Sequence, residues 1–199
     1  MRPTSFGVGG AAVALALAAC SPAHVHLEAP PATAEAAVRL AAYEQLRPAR
    51  LRLTRVTDLR TNSSNEYADS VELNGGARVK NIPDLLPVVH PQSRTADDIR
   101  LMQSKSSTAK WFFYGGLAAL GSSLVLMVAD MSSNGPSNLG APFYVGAGLG
   151  IGGVIAIPIG QYHGRQANEA GIDAVKHYDD GLLRRLDLCN EHGGVTPCR

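Results

Sequence analysis

Two stretches of this chain carry no charge at all, and they lie close together. Residues 111–129 run uncharged between Lys110 and Asp130, and residues 140–162 are uncharged from Gly140 to Tyr162. A helix rises about 1.5 Å per residue, so the first stretch reaches about 28 Å, close to the hydrocarbon thickness of a bilayer. The second is longer, and Pro158 predicts a bend within it. Trp111, Phe112, Phe113 and Tyr114 open the first stretch and Tyr162 closes the second, while Phe143 and Tyr144 stand at the opposite edge. In an antiparallel pair these make two aromatic belts. The connection, 131–140, is polar and rich in Ser, Asn and Gly. The pattern predicts a two-helix transmembrane hairpin.

Both spans carry small residues at a spacing of four: Gly115, Ala119 and Ser123 in the first, and Gly148, Gly152, Ala156 and Gly160 in the second. That spacing places them on one helix face, where missing side chains let backbones approach. The hairpin is expected to pack on itself, on sister chains, or both. The pattern is loosely similar to the glycine-zipper segments of envelope lipoproteins, and the likeness implies only the packing mode. Gly148, Gly150 and Gly153 also spell GxGxxG. A dinucleotide loop would need a strand before it and a helix after it, whereas these glycines lie inside an apolar span.

Around the hairpin the periodicity changes. Residues 33–46 read as a helix capped by Thr33, with Ala36, Leu40 and Tyr43 on one face and Pro48 as its stop. Alternation over 50–57 reads as a strand, and Asn74-Gly75 marks the turn of a hairpin running from Val71 to Val79. Ile82–Pro87 is a short apolar plug for the sheet. Thr95–Asp98 fits a capping box opening the helix that enters the first span. Val175, Tyr178, Leu182 and Leu186 form a stripe on a helix over 165–188, expected to pack on the Thr95 helix or the small domain. The fold class is α+β: a small helix-plus-three-strand antiparallel domain (33–92), joined to a helix and transmembrane hairpin (93–162) and a C-terminal helix and tail (163–199).

The N-terminus indicates a compartment. Gly7–Ala19 is an uncharged run behind Arg2, about 13 residues long and too short to span a membrane, but of the length of a signal-peptide core. It ends in Leu17-Ala18-Ala19-Cys20, which resembles the lipobox of bacterial lipoproteins. The resemblance implies a signal peptide over 1–19, lipidation of Cys20, and a lipidated tether over 20–32. Ser21 is similar to the outer-membrane sorting pattern of enterobacterial lipoproteins. Three cysteines then divide as one lipid carrier and one pair. Cys189 and Cys198 are expected to form a disulfide, with the glycines and Pro197 between them letting the chain turn back. His24 and His26 on the tether read as solvated linker residues rather than metal ligands.

Charge adds an orientation problem. Lys105, Lys110 and Arg165 flank the open end of the hairpin, and the turn has no Lys or Arg. The positive-inside rule alone puts both flanks in the cytoplasm. A cleaved signal commits the first flank to export, so the expectation is periplasmic flanks. Arg47, Arg50, Arg52, Arg55 and Arg60 read as a solvated strand face beside Glu44 and Asp58, with anionic lipid head groups as the alternative partner. There is no GxSxG, HExxH or P-loop, and His90, His163, His177 and His192 lack ligand spacing. The expectation is a non-enzymatic envelope lipoprotein without cofactor or metal. Its partners would be membrane lipid, envelope proteins or copies of itself, not nucleic acid. An accessory subunit of an envelope pore or transporter is the alternative.

Overall fold

The computed structural model describes residues 25–58, 63–135, 138–191 and 194–198, with the backbone path alone for 55–58, 63–65 and 67–69. The proposed signal peptide, Cys20, His24, Arg60 and His192 lie outside the described residues. The architecture is mixed helix and strand. In chain order come α1 (Ala36–Leu46), β1 (Pro48–Asp58), β2 (Ser63–Leu73), β3 (Arg78–Val79) and a 3-10 helix (Ile82–Val88). Two long helices follow, α2 (Arg94–Asn134) and α3 (Ala141–Lys176), then α4 (Tyr178–Arg185), β4 (Leu188–Glu191) and β5 (Gly194–Pro197).

The first sheet is antiparallel in the order β1-β2-β3. Val71 faces Val79 and Glu72 faces Arg78, so the turn falls where the pattern put it, although Asn74 and Gly75, expected to supply its positive φ angles, do not take them. Gly76 takes the positive φ of 83° that lets so short a connection close. The 3-10 helix buries Ile82, Leu85 and Val88, a step of three that suits its three residues per turn. These side chains join Val71, Leu73, Val79, Ile99, Val175, Tyr178, Leu182 and Leu186 in one core. The core is therefore built from both flanks of the hairpin at once. All four residues of the C-terminal stripe lie in it.

Polar contacts tie the two flanks together. The Arg39 guanidinium donates to the carbonyls of Leu186 (2.9 Å) and Asp187 (3.0 Å), satisfying backbone acceptors at the C-terminal end of α4. Asp187 holds a left-handed φ of 53°, the conformation that ends helices, and its carboxylate meets Arg39 at 3.3 Å. Tyr178 donates to the Leu46 carbonyl, Thr95 to the His177 carbonyl, and Tyr43 to Asp179 at 3.0 Å. Burial, followed by the Asp179 hydrogen bond and charge, raises the Tyr43 phenol to about 12.

Several local expectations are corrected. Glu35, not Thr33, precedes α1 and makes no side-chain cap bond; Ala36 is exposed, and the buried positions are Arg39 and Tyr43. Ser93, rather than Thr95, caps α2, its hydroxyl accepting from Ala96 N. The helix expected over 165–188 is not separate: α3 runs unbroken from the span through Pro158 to Lys176, and α4 follows after His177. Leu188 and Cys189 are strand rather than helix. They open the β4–β5 hairpin, whose strands of only four residues each are too short to show as an alternation in the sequence. The stretch from Val25 to Ala29 is not a free linker. Leu27 is buried in the core with Val25 and Ala29 against it, while His26 and Glu28 face outward and pair at 3.1 Å.

Candidate functional site: the apolar helical hairpin

The two long helices pack antiparallel, and glycine decides how close they come. A Cβ placed on Gly153 would stand 2.7 Å from the Gly116 carbonyl oxygen, and one on Gly116 would stand 3.0 Å from that of Gly153. A Cβ on Gly160 would meet Phe113 N at 2.9 Å and Ala109 O at 3.0 Å, and one on Gly146 would meet Ser123 O at 3.0 Å. The helices thus touch backbone to backbone along the seam, the geometry small residues permit in lipid-facing helix pairs.

The seam recurs every seven residues. On α2 it passes through Ala109, Gly116, Ser123 and Asp130, and on α3 through Gly146, Gly153 and Gly160. It continues past the uncharged spans as buried Ala167 and Ala174 on α3 and buried Thr95 on α2. A period of seven keeps one stripe facing the partner as two helices wind left-handedly around each other. Steps of four along the sequence coincide with this seam only in part. Ser123 and Gly160 are buried in it, and Ala156 lies beside Gly116. Gly115, Gly148 and Gly152 are exposed on the outside, with nothing within 4 Å of where a Cβ would sit, and Ala119 is half-buried. The missed seam residues are Gly116, Gly146 and Gly153. Their signal was the heptad step, which continues through Ala167 and Ala174.

The large apolar side chains point the other way. Leu124, Val125, Val128, Ile151 and Val154 are all more than 60% exposed, and Trp111 is 78% exposed. Both helices are long and apolar enough to cross a membrane, and their most apolar windows are only 11% and 17% buried. A core helix of a soluble protein would have the reverse arrangement, with large side chains inside. The aromatic residues lie at the two ends, where Phe112 stacks on His163, Tyr162 meets His163 edge-on, and Phe143 meets Tyr144.

The turn end is closed by a buried acid. Asp130 Oδ2 accepts from Gly140 N at 2.7 Å, and Oδ1 accepts from Asn134 at 2.8 Å. A carboxylate here satisfies an amide at the start of α3 and suits the positive end of that helix. At the head end, His177 and Asp98 pair at 3.1 Å and join α2 to the junction of α3 and α4. No metal-holding cluster of three His, Cys, Asp or Glu occurs among the described residues.

The remaining predicted pair is joined. Cys189 and Cys198 form a disulfide with Cα atoms 5.1 Å apart, within the range such bridges require. It links β4 to the residue after β5, and Cys198 N donates to Asp187 O. The tail is thus stapled beside the Arg39–Asp187 contact. No family model, curated protein or solved structure matches this chain.

Proposed function

We propose that this chain is a non-enzymatic lipoprotein of the bacterial cell envelope, held in a membrane by its hairpin and by lipid on Cys20, with a structural or assembly role. The observation that carries the reading is the inversion of the hairpin: small residues form the seam, and large apolar side chains stand outward beside a head that has a conventional core. An unsupported pair of such helices in water would expose far more contiguous apolar surface than soluble proteins do. Lipid removes that cost. The antiparallel hairpin brings both flanks to one end, which suits a head assembled from both flanks on one side of the membrane. The lipobox and the disulfide favour the exported side.

Within one hairpin the seam is sealed by backbone contact at Gly116 and Gly153. The alternative role in a pore or transporter would therefore need a path between chains. The outward glycines Gly115, Gly148 and Gly152 leave a face on which sister copies or other envelope proteins could pack closely.

Reporter fusions after Lys110 and after Arg199, read together with mass spectrometry of the mature N-terminus, test the proposal. Both fusions should report export, and the first residue should be an acylated Cys20. Two cytoplasmic readings, or an intact Met1, would refute it.

A further inference from the structure

Resting on the membrane reading above, a second feature of the hairpin concerns which lipid it meets. Lys110 and Tyr114 lie one turn apart on α2 and stand between two open grooves at the head end. One groove, of about 400 Å3, is lined by Lys110, Trp111, Tyr114, Gly115 and Ala118. The other, of about 260 Å3, is lined by Ala109, Lys110, Phe113, Tyr114, Gly160 and Gln161. Small residues keep the first one open: nothing lies within 4 Å of a Cβ position at Gly115, and Ala118 follows it along the helix.

The arrangement is one ammonium above two apolar troughs that share a tyrosine wall. Lys110 is exposed. Lys105 and Arg165 stand on the same head-end flanks. The acids of the two helices lie farther into the head, where Asp97 is paired with Arg100 and Asp173 with Lys176, each at 3.0 Å. Glu169 lies one turn beyond Arg165, farther from the apolar span. The head-end margin therefore favours an anion, and its shape favours one with two hydrocarbon arms.

We propose that Lys110, Trp111, Tyr114 and Gly115 form a site for a single anionic diacyl phospholipid of the head-side leaflet. Its phosphate would meet the Lys110 ammonium, and its acyl chains would lie in the grooves on either side of Tyr114. A charge at a membrane surface contributes modestly, so selectivity over a zwitterionic lipid should be about fivefold at low salt.

Trp111 is the only tryptophan in the chain and lines the site. The full protein would be reconstituted in phosphatidylcholine vesicles containing a small fraction of brominated phosphatidylglycerol or of brominated phosphatidylcholine. Quenching of Trp111 fluorescence should be stronger with the brominated anionic lipid. The preference should disappear in Lys110→Gln and persist in Lys105→Gln. Equal quenching by the two lipids would overturn the site and leave the membrane reading standing. A preference unchanged in Lys110→Gln would assign it to the basic collar at large and also overturn the site. Absence of quenching by either lipid would overturn both the site and the membrane reading.

Discussion

Gly153 and Gly152 are neighbours in sequence with opposite surroundings. At Gly153 the facing backbone of Gly116 and the side chain of Leu120 leave no room for a methyl group, whereas at Gly152 the space is open. Gly153→Leu should therefore pry the helices apart and lower stability by about 1–3 kcal/mol or more, as overpacking does. Gly152→Leu should be neutral to stabilising by up to about 1 kcal/mol, because the space is open and a mid-helix glycine costs about that much. Thermal unfolding in detergent, followed by helicity, compares them; equal effects would mean that the seam runs elsewhere. A second residue-scale prediction concerns Tyr43. Its folded pKa of about 12 exceeds the unfolded value of 10.0, so the fold retains the phenol proton where the unfolded chain has lost it. The stability this contributes is fully present below pH 10 and is lost as pH rises toward 12. Tyr43→Phe should reduce that alkaline loss, leaving the part carried by Tyr178, whose phenol burial also pushes up. An unchanged slope in unfolding titrations between pH 9 and about 12 would contradict the assignment.

Among the elements, the terminal β4–β5 hairpin depends most visibly on one bond. Each strand has four residues, and an isolated two-stranded hairpin is marginal in water. The Cys189–Cys198 bridge, closing a short loop, contributes about 2–3 kcal/mol in the chain-entropy picture. Reduction should destabilise the tail while leaving the helices intact: hydrogen exchange should rise at 188–197 and stay unchanged in the seam. Loss of protection throughout α2 and α3 would contradict this. The elements also show what was legible in the sequence. The two long apolar helices could be read from absent charge, the β2–β3 turn from Asn74-Gly75, and the C-terminal stripe from Val175 at the end of α3, Tyr178 and Leu182 on α4, and Leu186 just after it. Caps were harder: Thr33 and Thr95 were plausible by residue type, but tertiary contacts decide, and the Thr95 hydroxyl is used by the His177 carbonyl. The tail hairpin was hidden by its shortness. The seam within the hairpin was legible only in part because the chain is glycine-rich, and steps of four and of seven coexist in it; the facing helix decides which glycines serve that seam and leaves Gly115, Gly148 and Gly152 open to packing between chains.

At the scale of the whole molecule, the head and the hairpin follow different packing rules within continuous helices. Where α2 and α3 pass through the head, they contribute Ile99 and Val175 to a buried core; where they leave it, small residues turn inward and large ones outward. That switch in a single pair of helices is what a passage from water into lipid would demand, as the proposed membrane insertion requires. Spin labels placed at Leu124→Cys and Ile151→Cys, with Val38→Cys on the head as reference, test it directly in reconstituted vesicles. All three positions are exposed, at 65%, 64% and 48%. Labels at 124 and 151 should collide readily with oxygen and poorly with a water-soluble nickel chelate, and the label at 38 should do the reverse. Ready access of the chelate to 124 and 151 would contradict the account.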